Sequence, residues 1–233
     1  MDMPSEQERI AQVYRQWHGG AALPRYAWHR PEVMQQAAAR ARILAALFRR
    51  TVGLDLAGLR VLDVGCGSGQ FLRQLIDWGA RPANLAGTEL QSERLDAARA
   101  LAPGAVRWHL GELDKLADGG FDLVSAQTVF SSILDDAARR ALAAAMWRKL
   151  RPGGWCLVFD FRYDNPANRN VRRVTRAELA RLWPAAGVRY RSLLLAPPLA
   201  RRMAGLPHLL PEALATLVPP LRSHFVFMAR KGG

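Results

Sequence analysis

Lysine is scarce in this chain. Lys115, Lys149 and Lys231 are three of 33 basic residues among 233, so the positive charge is almost entirely arginine. Arginine's planar fork suits bidentate contact with phosphate or carboxylate, and an arginine- and alanine-rich genome would produce the same bias. Cysteine is scarcer still: Cys66 and Cys156 stand far apart in apolar surroundings. Two such residues make neither a disulfide framework nor a zinc-ligand cluster, so no metal site is expected. No apolar run reaches the roughly 18 to 20 residues that span a bilayer. The first residues carry acids where a signal peptide would carry a basic and then an apolar run. These absences point to a cytoplasmic chain with no transmembrane segment. Acidic residues are also few toward the C-terminus. Residues 162–233 hold 13 basic against 3 acidic side chains, a net of +10 within a total of +13. Such a face suits an anionic small molecule, nucleic acid or a lipid surface, and charge alone does not choose among them.

What is present is a regular alternation. Ser5 and Glu8 form a capping box for a helix to about His18, and Pro31 opens a second helix to about Arg50. From residue 60 onward short β-rich runs alternate with helical ones. Strands are expected at 60–64, 84–89, 106–110, 121–127, 155–161, 188–195 and 224–230. Helices are expected at 70–78, 92–102 and 135–150, and after the Thr175/Glu178 capping box. This order predicts an α/β fold: a seven-stranded, mostly parallel, doubly wound sheet with an antiparallel last strand. Residues 1–53 read as an N-terminal helical cap and 54–233 as the main domain. Six prolines in 196–222 exclude one long helix there. That insertion reads as a pair of short packed helices, a lid or an interfacial patch.

The chemistry concentrates at Val61-Leu-Asp-Val-Gly-Cys-Gly-Ser-Gly69, a strand running into a glycine-rich turn and then a helix. Gly65, Gly67 and Gly69 let the backbone turn sharply and approach a ligand with no Cβ in the way. A dinucleotide fingerprint would place its third glycine at position 70, which is Gln70, and the Gly-Lys-Ser/Thr of a P-loop is absent. Glu89 ends the second strand, where a carboxylate can accept from ribose hydroxyls.

Here the chain resembles the class I S-adenosylmethionine-dependent methyltransferases. The resemblance is carried by the glycine turn, Glu89, Gly111-Glu-Leu113, Phe121-Asp-Leu-Val124 and Leu150-Arg-Pro-Gly-Gly154. It implies S-adenosylmethionine as cofactor, held by Asp63, Gly65, Cys66, Gly67, Gly69, Glu89, Leu90, Glu112, Leu113 and Gln127. Glu112 departs from the more usual Asp at its position. Asp63 would hold the methionine ammonium or brace the turn, and Cys66 reads as a small packing residue rather than a nucleophile.

The acceptor side is less distinctive. The Asn/Asp-Pro-Pro-Tyr/Phe sequence of base-amine methyltransferases is missing after the fourth strand, so no specific nucleic-acid partner is expected. Tyr26 and His29 in the N-terminal segment, and Arg162 and Tyr163 after the fifth strand, are the candidate acceptor-side residues. His29 is the first choice of general base, whose loss would cost roughly 10²-fold in turnover. The reading is methyl transfer to an oxygen or nitrogen of a small acceptor, such as a glycan precursor or specialised metabolite, and the basic C-terminal third would suit an anionic one. RNA or protein methylation, or a non-catalytic cofactor-binding partner subunit, are the alternatives. Nothing in the sequence fixes the oligomeric state.

Overall fold

The computed structural model describes residues 5–18, 27, 29–111, 113–207 and 209–233. Two helices, α1 (Glu6–His18) and α2 (Pro31–Thr51), precede a run of β1 (Val61–Val64), α3 (Gln70–Asp77), β2 (Leu85–Glu89), α4 (Ser92–Leu101) and β3 (Arg107–Leu110). Next come β4 (Phe121–Gln127), α5 (Asp136–Lys149), β5 (Leu150–Phe161), α6 (Arg176–Leu182) and β6 (Gly187–Leu195). The Pro-rich insertion holds α7 (Pro197–Arg202) and α8 (Leu209–Leu217), and β7 (Arg222–Arg230) closes the sheet.

The seven strands lie in the order β3-β2-β1-β4-β5-β7-β6, parallel except for β7, which runs antiparallel to both β5 and β6. β1 and β2 are buried along their whole length, as expected of central parallel strands covered on both faces. On one face Val61, Leu123, Leu157 and Val226 pack under Leu44 and Phe48 of α2 and Phe71, Leu72 and Leu75 of α3. On the other, Leu62, Val124, Val158 and Phe227 pack under Ala143 and Met146 of α5 and Leu179 of α6. Burial of a leucine or phenylalanine contributes about 1.5 to 3 kcal/mol, so α2 is part of the sheet's own core.

Local chemistry sets the ends of the elements. Asp135 caps α5 by accepting from the Ala138 N–H at 2.6 Å, and Thr175 and Glu178 close the expected capping box on α6. The expected turn at 151–154 falls inside β5. Leu150 pairs with Phe121 and pairing resumes at Trp155 with Leu123, so four residues bulge out between the two pairs. The strand order reverses between β1 and β4, which places a crevice at the carboxyl ends of those two strands.

Candidate active site

The crevice is closed by direct contact between the turns that leave β1 and β4. Gly65 has φ +66°, and a Cβ there would sit 2.6 Å from Cγ2 of Val129, the second residue beyond β4. Only glycine satisfies both the backbone angle and the approach. Gly67, at φ +55°, faces the Arg94 guanidinium with the same lack of room, and Gly69, at φ +76°, precedes α3. Cys66 is buried between these glycines, and burial pushes its thiol far above the usual range, which makes it unreactive.

Glu89, only 7% exposed, ties the turn to the end of β2. One carboxylate oxygen accepts from Gly67 N at 2.9 Å, and the other from Leu90 N at 2.8 Å and Gln91 N at 3.2 Å. Arg94 stands 3.9 Å away. A carboxylate has about four acceptor positions, so three are used in shaping the loop. A ribose would take the fourth and displace the Gly67 contact.

Beside Glu89 opens a cavity of about 340 Å³. Leu90 and Leu113 form part of its wall, with Leu142 and Ala145 of α5 opposite. Ile10 and Tyr14 of α1 also line it. α1 is held there by hydrogen bonds: Glu6 accepts from Leu134 N at 2.5 Å, Arg9 donates to the Ser132 carbonyl at 2.5 Å, and the Tyr14 and Ser132 hydroxyls meet at 3.0 Å, while the Arg94 guanidinium lies 4.9 Å from the centre of the Tyr14 ring. Gln127, at the end of β4, lines the cavity with both polar atoms of its amide buried and without a protein partner. Buried amides are almost always satisfied, so this one fits a site that expects a polar ligand. Next to it Thr128 holds φ +56°, a costly angle for a non-glycine residue.

Asp63 does not line the cavity. It lies beneath the turn on the α2 face, 1% exposed, and accepts from Ser125 Oγ at 2.6 Å. Burial raises its pKa to about 7 against the opposing pull of that hydrogen bond and of Arg40. The Arg40 guanidinium lies 4.9 Å from the centre of the Phe159 ring, its own pKa lowered by burial and supported by Asp63. His224 stacks on Phe159 at 5.1 Å and meets Ser223 Oγ through Nδ1 at 2.8 Å. Burial, with Arg40 nearby, drives its pKa down to about 3, so it is a neutral wall and no base at physiological pH.

Of the cofactor-side residues expected from sequence, Gly65, Glu89, Leu90, Leu113 and Gln127 line the cavity, while Asp63, Cys66, Gly67 and Gly69 are not part of its wall. Glu112 and Tyr26 lie outside the described residues. The described members of the acceptor-side set do not line the cavity. Arg162 donates to the carbonyls of Pro219 at 3.1 Å and Arg222 at 2.8 Å, and the Tyr163 hydroxyl donates to Pro220 O at 3.0 Å. Both side chains are spent on the segment that leads into β7, because strand pairing brings the start of β7 beside the end of β5. His29 is exposed in the turn before α2 and is not part of the cavity wall. Sequence reasoning missed Tyr14, Arg40, Arg94 and Ser125. For Arg40 and Tyr14 the available signal was a polar residue on an amphipathic helix preceding β1, which is too common to single out.

A methyltransferase-domain family matches residues 61–154. The ubiquinone biosynthesis O-methyltransferase of Thiobacillus denitrificans is 31% identical over 168 residues, covering 65% of this chain and 66% of that enzyme. The chain spans about half the length, 44% and 46%, of other curated relatives it matches. Among solved structures, geranyl diphosphate C-methyltransferase from Streptomyces coelicolor A3(2) superposes over 100% of both chains with TM-score 0.67 at 15% identity. The [4+2]-cyclase SpnF superposes with TM-score 0.58 at 19% identity, over 84% of this chain and 82% of that one. These likenesses support a class I, Rossmann-like S-adenosylmethionine-dependent methyltransferase, with S-adenosylmethionine as the cofactor. Likeness at such low identity to both a C-methyltransferase and a cyclase concerns the fold and leaves the reaction to be argued from the site.

Proposed function

We propose that this chain transfers the methyl group of S-adenosylmethionine to an oxygen atom of a small organic acceptor. The observation that carries the reading is the convergence on one cavity of the Glu89 carboxylate, the Gln127 amide that has no protein partner, and the apolar side chains of Leu90 and Leu113. S-adenosylmethionine supplies an activated methyl on a sulfonium with a neutral thioether as leaving group. Glu89 would accept from the ribose hydroxyls, and Leu90 and Leu113 would cover the adenine. The glycine turn admits the backbone-close part of the molecule. Arg40, half-buried near Asp63 on the α2 face and outside the cavity wall, would hold the carboxylate of the methionine end where it passes the turn, a charge-assisted contact stronger than a neutral one. Tyr14 and Ile10 on α1 exclude water from above.

Oxygen as the target is favoured by the O-methyltransferase relatives. The described lining residues include no histidine, and their carboxylates are engaged: Glu89 by three backbone donors, Glu6 by Arg9 and the Leu134 N–H, and Asp114 by Arg148. Such a site favours positioning over proton abstraction, so its acceptor should carry a hydroxyl that ionises by itself, a phenol or an enol rather than an alcohol. Sugar alcohols and glycan precursors are correspondingly disfavoured. The test follows transfer of labelled methyl from S-adenosylmethionine into matched phenols, enols, aliphatic alcohols and amines. Label in phenols or enols with a stable ether product is the expected result. Transfer to amines alone overturns the choice of oxygen. Tight cofactor binding with no transfer to any class overturns methyl transfer and favours a cofactor-binding subunit or a rearrangement catalyst.

A further inference from the structure

Helix α8 is turned inside out. Leu209, Leu210 and Leu217 are 65%, 47% and 80% exposed, and Ala213 between them is exposed as well. Spacings of three and four residues place them on one stripe. The helix cannot roll to hide that stripe, because Pro211 is buried on its other side and Glu212 pairs with Arg42 of α2. Exposed Leu206 and Val218 extend the stripe at its two ends, and exposed Tyr163 adjoins it through the Pro220 carbonyl. A row of exposed leucines of this kind on a folded chain marks an interaction site.

The surroundings are arginine. Arg201 and Arg202 are exposed at the end of α7. Arg162, Arg191 and Arg222 stand close enough that the first two depress the pKa of the third, after burial. The three acidic residues of this region are all engaged: Asp164 by Arg173, Glu178 by Arg139 and Arg172, and Glu212 by Arg42. Arg201 is partly offset by Glu32 of α2, and Arg162, Arg191, Arg202 and Arg222 leave an excess of positive charge. A leucine stripe beside such an excess is complementary to one kind of flat surface, apolar within and anionic at its rim. We propose that the α8 face docks this chain on an anionic lipid bilayer, its leucines entering the acyl boundary and its arginines meeting headgroup phosphates. A second copy is a poor occupant, because it would set the same arginines against themselves on chains already carrying +13 each. The proposal does not depend on which acceptor is methylated.

The test uses the full chain and sedimentation with vesicles of phosphatidylcholine alone or with about one third phosphatidylglycerol, at about 0.1 M salt. The wild type should sediment with the anionic vesicles only and be released by about 0.5 M salt. Leu209→Asp combined with Leu217→Asp should weaken partitioning by about 10-fold or more, and Arg202→Glu by about 10-fold. Both variants change exposed side chains, so melting temperature and S-adenosylhomocysteine affinity should match wild type. Failure to bind anionic vesicles, or unchanged binding by the leucine variant, overturns the proposal. So does a wild-type dimer in sedimentation velocity that the leucine variant dissolves, or capture by an acidic polypeptide with none by vesicles.

Discussion

Replacing Glu89 by alanine removes two things at once, and the structure separates them. In the free chain the carboxylate accepts from Gly67, Leu90 and Gln91 at 2.9, 2.8 and 3.2 Å. Losing it leaves two buried N–H groups and one partly buried one in search of partners. An unsatisfied buried donor costs about 1 to 3 kcal/mol, and water reaching from the open cavity offsets part of that, so the fold should lose about 2 to 4 kcal/mol. Cofactor binding should lose a further 1.5 to 3 kcal/mol or so for the charge-assisted ribose contacts, which is about a 10- to 150-fold weaker Kd. Calorimetric titration with S-adenosylhomocysteine, well below the melting transition of the variant, reads the second effect alone. Glu89→Gln keeps one acceptor oxygen but turns an amino group toward backbone donors, and should fall between the two. An affinity within twofold of wild type in a folded Glu89→Ala variant would remove Glu89 from the site and refute the ribose assignment.

Four further outcomes follow from the same geometry. Asp63 ionises near 3.8 when unfolded and at about 7 when buried, so wild-type stability should fall as pH rises from about 4 to 7 and then level off. Asp63→Asn should escape that loss, worth at most about 4 kcal/mol. Its melting advantage over wild type should grow across pH 4 to 7, and parallel melting profiles would contradict the burial argument. Gly65→Ala sets a Cβ against Val129 at an angle L-residues avoid, so cofactor binding should collapse. Pairing it with Val129→Ala should recover part of the loss, and no recovery would mean that the backbone angle alone decides. Arg40→Ala should weaken S-adenosylhomocysteine about 10- to 100-fold while leaving methylthioadenosine, which has no carboxylate, unchanged. Equal losses for both ligands would return Arg40 to a packing role over Phe159. His29→Ala should keep turnover within a few-fold of wild type, since His29 is exposed and outside the cavity wall, whereas a loss of about 10²-fold would restore it as the base.

Most of the sheet was legible because its signals are local. Continuous apolar runs such as Trp155–Phe159 mark strands buried on both faces, and Asp135 and Thr175 announce their helices by capping. The glycine turn and Glu89 were legible for a related reason: close approach and ribose recognition require those residue types at strand ends. What sequence could not place depends on long-range packing. Arg40 reaches Asp63 only because Leu44 and Phe48 seat α2 on the sheet, and Tyr14 reaches the cavity only because Glu6 and Arg9 dock α1 on residues 132–134. Arg162 and Tyr163 were assigned to the acceptor because they follow β5. The antiparallel return of β7 brings carbonyls beside both side chains, and no local pattern reports which strand will lie next to β5. The insertion showed its prolines and leucines, but only the buried Pro211 and the Glu212–Arg42 pair decide which face of α8 turns outward.

The claim on which the rest depends is that S-adenosylmethionine occupies the cavity between Glu89, Leu113 and Gln127. A crystal structure of the chain with S-adenosylhomocysteine tests it most directly. The expected result has both ribose hydroxyls within about 3 Å of the Glu89 carboxylate and the Gln127 amide bonded to the ligand or to a water bridging to it. A ligand bound elsewhere, or one seated in the cavity with Glu89 still held by Gly67 and turned away from the ribose, would contradict it.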